Sequence, residues 1–189
     1  MAKLILVKHA PPEIMPGVIS HRWVLSTQGR GRCAWLADEL KTQGVQRLYS
    51  SLEPKALETA ALAAVRLGLE VRPRPGLHEN DRTGLGFGPL DELKQRMRRF
   101  FDAPSDLIVG EETADAALQR FEAGVRAAAA EAADQTIAIV THGTVLTLLA
   151  ARYNPIEAFE FWEALTLPSY VALDAATFRF AGPVGGFPT

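Results

Sequence analysis

Apolar runs and apolar alternations divide the chain into short strand-like and longer helix-like segments. Leu4-Ile5-Leu6-Val7 is a continuous apolar run that ends in Lys8-His9 and is followed by Pro11-Pro12. Such a run predicts a strand buried on both faces. Ile137-Ala138-Ile139-Val140 has the same form and ends in Thr141-His142-Gly143. Each run thus places a histidine where a strand leaves its sheet, and in open α/β sheets ligands bind at that carboxyl end.

Between and beyond these runs the pattern alternates. Residues 10–25 read as a loop punctuated by Pro11, Pro12, Pro16 and Gly17. Ser26 is a candidate N-cap for a helix over 27–41, with Cys33, Leu36, Ala37 and Leu40 on one face and Gly29 and Gly31 weakening its first turns. A short strand over 45–50 follows the stop at Gly44. Pro54 then opens an Ala/Leu-rich helix to residue 67, and 69–72 is the next strand. Residues 73–89 are rich in proline and glycine, a long irregular segment of the kind that tends to be functional. Helical spacing returns over 90–101, with Arg96, Arg98 and Arg99 as its solvated side, and again after the candidate cap Thr113 as far as 133. The 136–141 strand, a helix over 144–153 and a short helix over 155–165 come next. Residues 170–174 and 177–180 read as an antiparallel hairpin, and 182–189 as a loose tail. No internal repeat is present. The alternation predicts an α/β fold, a three-layer α/β/α sandwich with a mostly parallel central sheet, as one domain over 1–189.

Composition narrows the class. At 189 residues the chain can bury roughly 70% of its unfolded surface, enough for a single core. A net charge of −2 with 22% charged residues gives no basic surface for nucleic acid. The one cysteine, Cys33, excludes an intrachain disulfide or a cysteine-based zinc site and reads as a core residue. Trp23, Trp35 and Trp162 read as core or core rim. No apolar run approaches the ~20 residues of a membrane span, and the N-terminal run is too short for a signal peptide. The expectation is a cytoplasmic protein with neither membrane nor nucleic acid as partner.

If the two histidine-terminated strands are neighbours, His9 and His142 meet at one sheet edge. Imidazole suits nucleophilic and proton-transfer work near neutral pH. Lys8 adds a cation, and His142-Gly143-Thr144 opens a helix whose free amides favour an anion. Together these features suggest a phosphate pocket. Two other readings stand beside it. The histidines can be structural, or His9, His21, His78 and His142 with Glu13 and Glu79 can hold a metal. No close ligand pair of the His-x-x-x-His type occurs, so neither metal nor cofactor is expected.

Four stretches, taken in order, carry a resemblance. Leu6-Val7-Lys8-His9-Ala10 resembles the Arg-His-Gly signature of the histidine phosphatase superfamily, which has the phosphoglycerate-mutase-like fold. Ser50-Ser51 with Lys55-Ala56 and Thr59-Ala60 resembles its Ser-Ser … Arg-Ala-x-x-Thr-Ala segment. Leu77-His78-Glu79 resembles its acidic loop, and Val140-Thr141-His142-Gly143 its second histidine motif. Leu25-Ser26-Thr27-Gln28-Gly29 also resembles the family's start to the first helix. The resemblance implies a metal-independent phosphomonoester hydrolase. His9 would form a phosphohistidine, and His142 would donate a hydrogen bond to the phosphoryl group. Lys8 and Lys55 would bind phosphate. Glu79 would act as general acid and base, its pKa raised by the adjacent phosphate.

Four positions depart from that pattern, of which Leu52, where the family commonly has proline, is minor. Lys8 and Lys55 stand where the family has arginine, keeping charge but losing a two-pronged grip on phosphate. Ala10 replaces a glycine, adding a Cβ beside the site. Two readings remain open: a phosphatase that works with lysines, or a phospho-ligand-binding protein with little or no turnover. A phosphomutase is a third, disfavoured because the family's mutases carry longer insertions. His21, Arg22 and Arg82, with Arg74, are candidates for the substrate rim. The expected partner is a small phosphorylated substrate, and the expected state a monomer or homodimer.

Overall fold

The computed structural model describes residues 2–82 and 89–188. Gly84, Gly86 and Gly88 of the glycine-rich stretch lie outside the described residues. The first strand, β1 (Lys3–Lys8), leads through a 3₁₀ turn (Ser20–Arg22) to α1 (Thr27–Thr42). Then come β2 (Arg47–Ser50), α2 (Pro54–Leu67), β3 (Val71–Pro73), α3 (Leu90–Asp102) and α4 (Ala114–Ala132). The chain closes with β4 (Ile137–Thr141), α5 (Gly143–Tyr153), α6 (Ala158–Ala164), β5 (Ser169–Asp174) and β6 (Phe180–Gly186). The cap chemistry is as the sequence predicts. The Ser26 hydroxyl accepts from Gly29 N–H at 3.0 Å, and the Thr113 hydroxyl accepts from Ala116 N–H at 3.1 Å.

The six strands form one mixed sheet in the order β3-β2-β4-β1-β5-β6. The first four are parallel; β5 and β6 add two antiparallel strands at one side. Alternation along each strand gives the sheet two apolar faces. Leu4, Leu6, Tyr49 and Ile139 pack with Phe121, Val125 and Leu149 of α4 and α5. Ile5, Val7, Ala138 and Val140 pack with Leu36 and Leu40 of α1 and Ala56, Ala60 and Ala63 of α2. Helices therefore cover both faces, the three-layer arrangement. Cys33 is buried, with its S–H directed at Gly29 C=O (3.3 Å). Among the described residues no helix is long and apolar enough to cross a membrane.

Most element ends fall within two residues of the sequence pattern, but the C-terminal reading needs correction. The hairpin exists, yet its second strand is not 177–180, and 182–189 is not a loose tail: residues 180–186 form the edge strand β6. The feature that positions the site is the pairing of β1 with β4. Lys8 stands opposite Thr141, and His9 N–H donates to Thr141 C=O at 3.1 Å. His9 and His142 therefore leave adjacent parallel strands side by side.

Candidate active site

Both imidazoles are buried, His9 at 8% exposure and His142 fully, with ring centroids 5.2 Å apart in an edge-on arrangement. His9 Nδ1 lies 2.8 Å from its neighbour's carbonyl, Ala10 C=O. A carbonyl can only accept, so Nδ1 carries the proton and Nε2 keeps a free lone pair. The backbone at Ala10 is fixed from α2, where the Thr59 hydroxyl accepts from Ala10 N–H at 3.0 Å and donates to Lys55 C=O at 2.7 Å. The extra Cβ of Ala10 is accommodated: the residue is fully buried with Leu25 and Cys33 and is not among the positive-φ residues.

His142 Nε2 lies 2.9 Å from the Ser51 hydroxyl and 3.3 Å from Glu53 Oε1. Its other nitrogen, Nδ1, is buried without a hydrogen-bond partner among the described residues. A buried polar atom of this kind costs free energy unless it meets a ligand. Burial pushes both histidine pKa values well below the ordinary one; His142 and Lys55 add to the effect at His9, and Lys55 and Arg82 at His142.

Glu79 sits between its own loop and the start of α5. Oε2 accepts from Thr144 N–H at 3.2 Å, and Oε1 accepts from Val145 N–H at 3.3 Å and Asn80 N–H at 3.0 Å. Its backbone N–H donates to Glu53 Oε1 at 2.9 Å. Burial raises the Glu79 pKa, but Arg82, His142 and the Asn80 amide outweigh it and hold the carboxyl below its ordinary value. The loop is pinned from α4: Arg120 donates to the carbonyls of Gly76 and His78 at 2.9 Å and of Glu79 at 3.1 Å, and it pairs with Glu112.

The cations reach the site in different ways. Lys55 is buried, its Nζ 2.5 Å from Glu53 Oε2 and 2.7 Å from Ser20 C=O. Lys8 runs along the start of α5 and donates to Leu165 C=O at 2.7 Å. A Cβ on Gly143 would stand 3.1 Å from Lys8 Cε, so glycine there leaves room for the lysine stem. Burial lowers the Lys8 pKa to about 8; Glu79 opposes the shift and Arg82 adds to it. Arg82, expected at the rim, is inside the site: its Nη2 is 3.2 Å from Glu79 Oε2 and donates to Thr144 Oγ1 at 2.5 Å.

The other rim candidates fare differently. His21 is half-buried and Arg22 exposed on the 3₁₀ turn, whose Ser20 carbonyl accepts from Lys55 Nζ. Arg74 is not a site residue: it pairs with Glu131 and lies over the Tyr49 ring. Among the described residues no three His, Cys, Asp or Glu side chains are grouped to hold a metal ion. The sequence reading missed Glu53, which touches Lys55, His142 and the Glu79 amide together, and Arg120. Their position beside recognisable motif residues was the only signal either offered.

Solved structures share this fold. A mycobacterial glucosyl-3-phosphoglycerate phosphatase aligns over 100% of both chains with a TM-score of 0.77 at 17% identity. A phosphoserine phosphatase from Entamoeba histolytica aligns over 99% of this chain and 98% of its own with a TM-score of 0.78 at 16% identity. The Bacillus stearothermophilus protein YhfR aligns over 100% and 98% with a TM-score of 0.73 at 23% identity. No curated protein matches the sequence. The family model of the histidine phosphatase superfamily (branch 1) matches residues 18–180, which hold Lys55, Glu79 and His142, and the chain belongs to that superfamily.

Proposed function

We propose that the protein is a metal-independent phosphomonoester hydrolase acting through His9. The observation that carries this reading is the facing pair of His9, whose Nε2 is free to attack, and His142, whose buried Nδ1 has no protein partner among the described residues. A phosphoryl oxygen supplies the acceptor that Nδ1–H needs. His9 Nε2 attacks phosphorus, the ester P–O bond breaks, and the leaving oxygen takes a proton from Glu79. Water then attacks the phosphohistidine, Glu79 takes its proton, the N–P bond breaks, and inorganic phosphate leaves.

Glu79 must be protonated for the first step, although its neighbours hold it below the ordinary carboxylate range. A bound phosphoryl dianion counters that by repelling the carboxylate form. Lys8, Lys55 and Arg82 neutralise the dianion; Arg82 brings a planar guanidinium that neither lysine has. The phosphatase neighbours in fold agree with the reaction class. The substrate is a small phosphomonoester.

The test is hydrolysis of an aryl phosphate without added metal. We expect release of phosphate by the wild type, its loss in His9→Ala, and an acid-labile, base-stable phosphoenzyme. Undiminished hydrolysis by His9→Ala overturns the reading. A second reading, a phospho-ligand-binding protein with little turnover, is favoured by one fact: the Lys8 and Lys55 amines already have protein acceptors. A wild type inert on a broad phosphate panel, with activity gained in the Lys8→Arg, Lys55→Arg double variant, establishes that alternative.

A further inference from the structure

Glu53 is a carboxylate where an anion is to be bound, and the hydrolase reading assigns it no chemistry. It is buried, at 7% exposure. Its two oxygens accept from two groups and stand near a third. Oε2 meets Lys55 Nζ at 2.5 Å; Oε1 accepts from Glu79 N–H at 2.9 Å and lies 3.3 Å from His142 Nε2. Its own N–H donates to the Ser51 hydroxyl at 3.2 Å, the same hydroxyl that stands 2.9 Å from His142 Nε2. Backbone geometry delivers it there: Glu53 is the extended residue immediately before Pro54 at the start of α2. The side chain thus links the phosphate-binding lysine to the acid loop, while the backbone N–H of the same residue holds the Ser51 hydroxyl that meets the second histidine.

Its charge also opposes the ligand. A phosphoryl group held by Lys55 lies within about 5–6 Å of a carboxylate already bonded to that amine, where like charges repel strongly in a partly buried site. A group that served only to bind phosphate would have no use for such a neighbour. A group that must hold a flexible lysine and the acid loop in register, and let product leave, would. Lysine carries a point charge on a mobile four-carbon stem, so it needs a fixed acceptor to be held in place.

We propose that Glu53 is a positioning residue: it fixes Lys55 and the Glu79 loop for turnover and, by its charge, keeps the pocket from holding inorganic phosphate tightly. This rests on the hydrolase reading, and its signature is a split of opposite sign. In Glu53→Gln, which preserves shape and removes the charge, inorganic phosphate measured by calorimetry binds about 10-fold more tightly. At the same time kcat on an aryl phosphate falls about 10-fold or more. A carboxylate that merely braces the fold would weaken both on removal.

Phosphate binding that is unchanged or weaker in Glu53→Gln overturns the proposal. That outcome leaves the hydrolase reading to its own arm, His9→Ala, and the calorimetry reads Glu53 whether or not the protein turns over. Glu53→Asp keeps the charge and withdraws it by one methylene. It should lower kcat at least about 5-fold with phosphate affinity within about 3-fold of wild type. An unchanged kcat in Glu53→Asp overturns the positioning role, and this variant decides the matter if Glu53→Gln does not fold.

Discussion

At the scale of single residues, the Lys8 pKa yields a prediction for the proposed hydrolase. An arginine there would stay charged throughout the physiological range. Burial brings the lysine to about 8, with Glu79 opposing and Arg82 adding to the shift. The free protein loses this cation as pH rises through that value, so kcat/KM should carry an alkaline limb near pH 8. Lys8→Arg should move that limb upward by more than one pH unit; a limb that stays put shows that another group titrates there. Several residues of the candidate site stand out in the sequence: His9 and His142 because they end apolar runs, and Glu79 and the two lysines because they sit in recognisable motifs. Glu53 was not. An acidic residue beside a helix-opening proline reads as a charge favoured by the helix dipole. Its partners are set by tertiary contacts with Glu79 and His142, 26 and 89 positions away.

At the scale of elements, the loop that carries Glu79 is held from α4. Arg120 of α4 donates to three carbonyls, those of Gly76, His78 and Glu79, and Glu111 N–H donates to Asp81 C=O at 2.8 Å. Replacing Arg120 by Met leaves partly buried carbonyls without donors and Glu112 without its cation. The expected cost is about 2–4 kcal/mol in denaturant unfolding, together with a drop in kcat larger than that in aryl-phosphate KM. A variant that loses stability but keeps kcat refutes the link between loop pinning and Glu79. Apolar runs located β1 and β4, and caps located α1 and α4. The edge strand β6 escaped because Phe180–Gly186 contains Pro183 and three glycines, which read as tail. Proline is tolerated at a sheet edge. Glycine is required at 185, where a Cβ would stand 2.4 Å from the Tyr170 ring.

At the scale of the whole molecule, the fold stores two neutral histidines at the end of its central strands, and that gives stability a pH window of its own. His9 and His142 have folded pKa values well below the ordinary 6.5, mainly through burial. The unfolded chain therefore binds more protons than the folded one below about pH 6.5, and stability must fall as pH drops through that region. Each such group contributes at most about 1.4 kcal/mol per pH unit, so the pair contributes up to about 2.7. Half-exposed His78, also lowered by burial first, adds in the same direction. Glu79 behaves differently. Its folded pKa lies below the ordinary 4.5, so its stabilisation persists above that value and is lost only as pH falls further. Lys8, lowered to about 8 from 10.5, acts on the alkaline side, where stability rises with pH. The interval between about pH 4.5 and 6.5 thus belongs to the histidines. Denaturant unfolding of the wild type at pH 7, 6 and 5 should show a steep loss of stability. His9→Asn should remove up to half of that slope, because one buried proton-accepting ring is gone while the sheet edge keeps a polar side chain of similar reach. Equal slopes in the two proteins mean that His9 takes up its proton over the same pH range in the folded protein as in the unfolded chain, which would leave it without the free Nε2 lone pair on which attack at phosphorus depends once pH falls below that range.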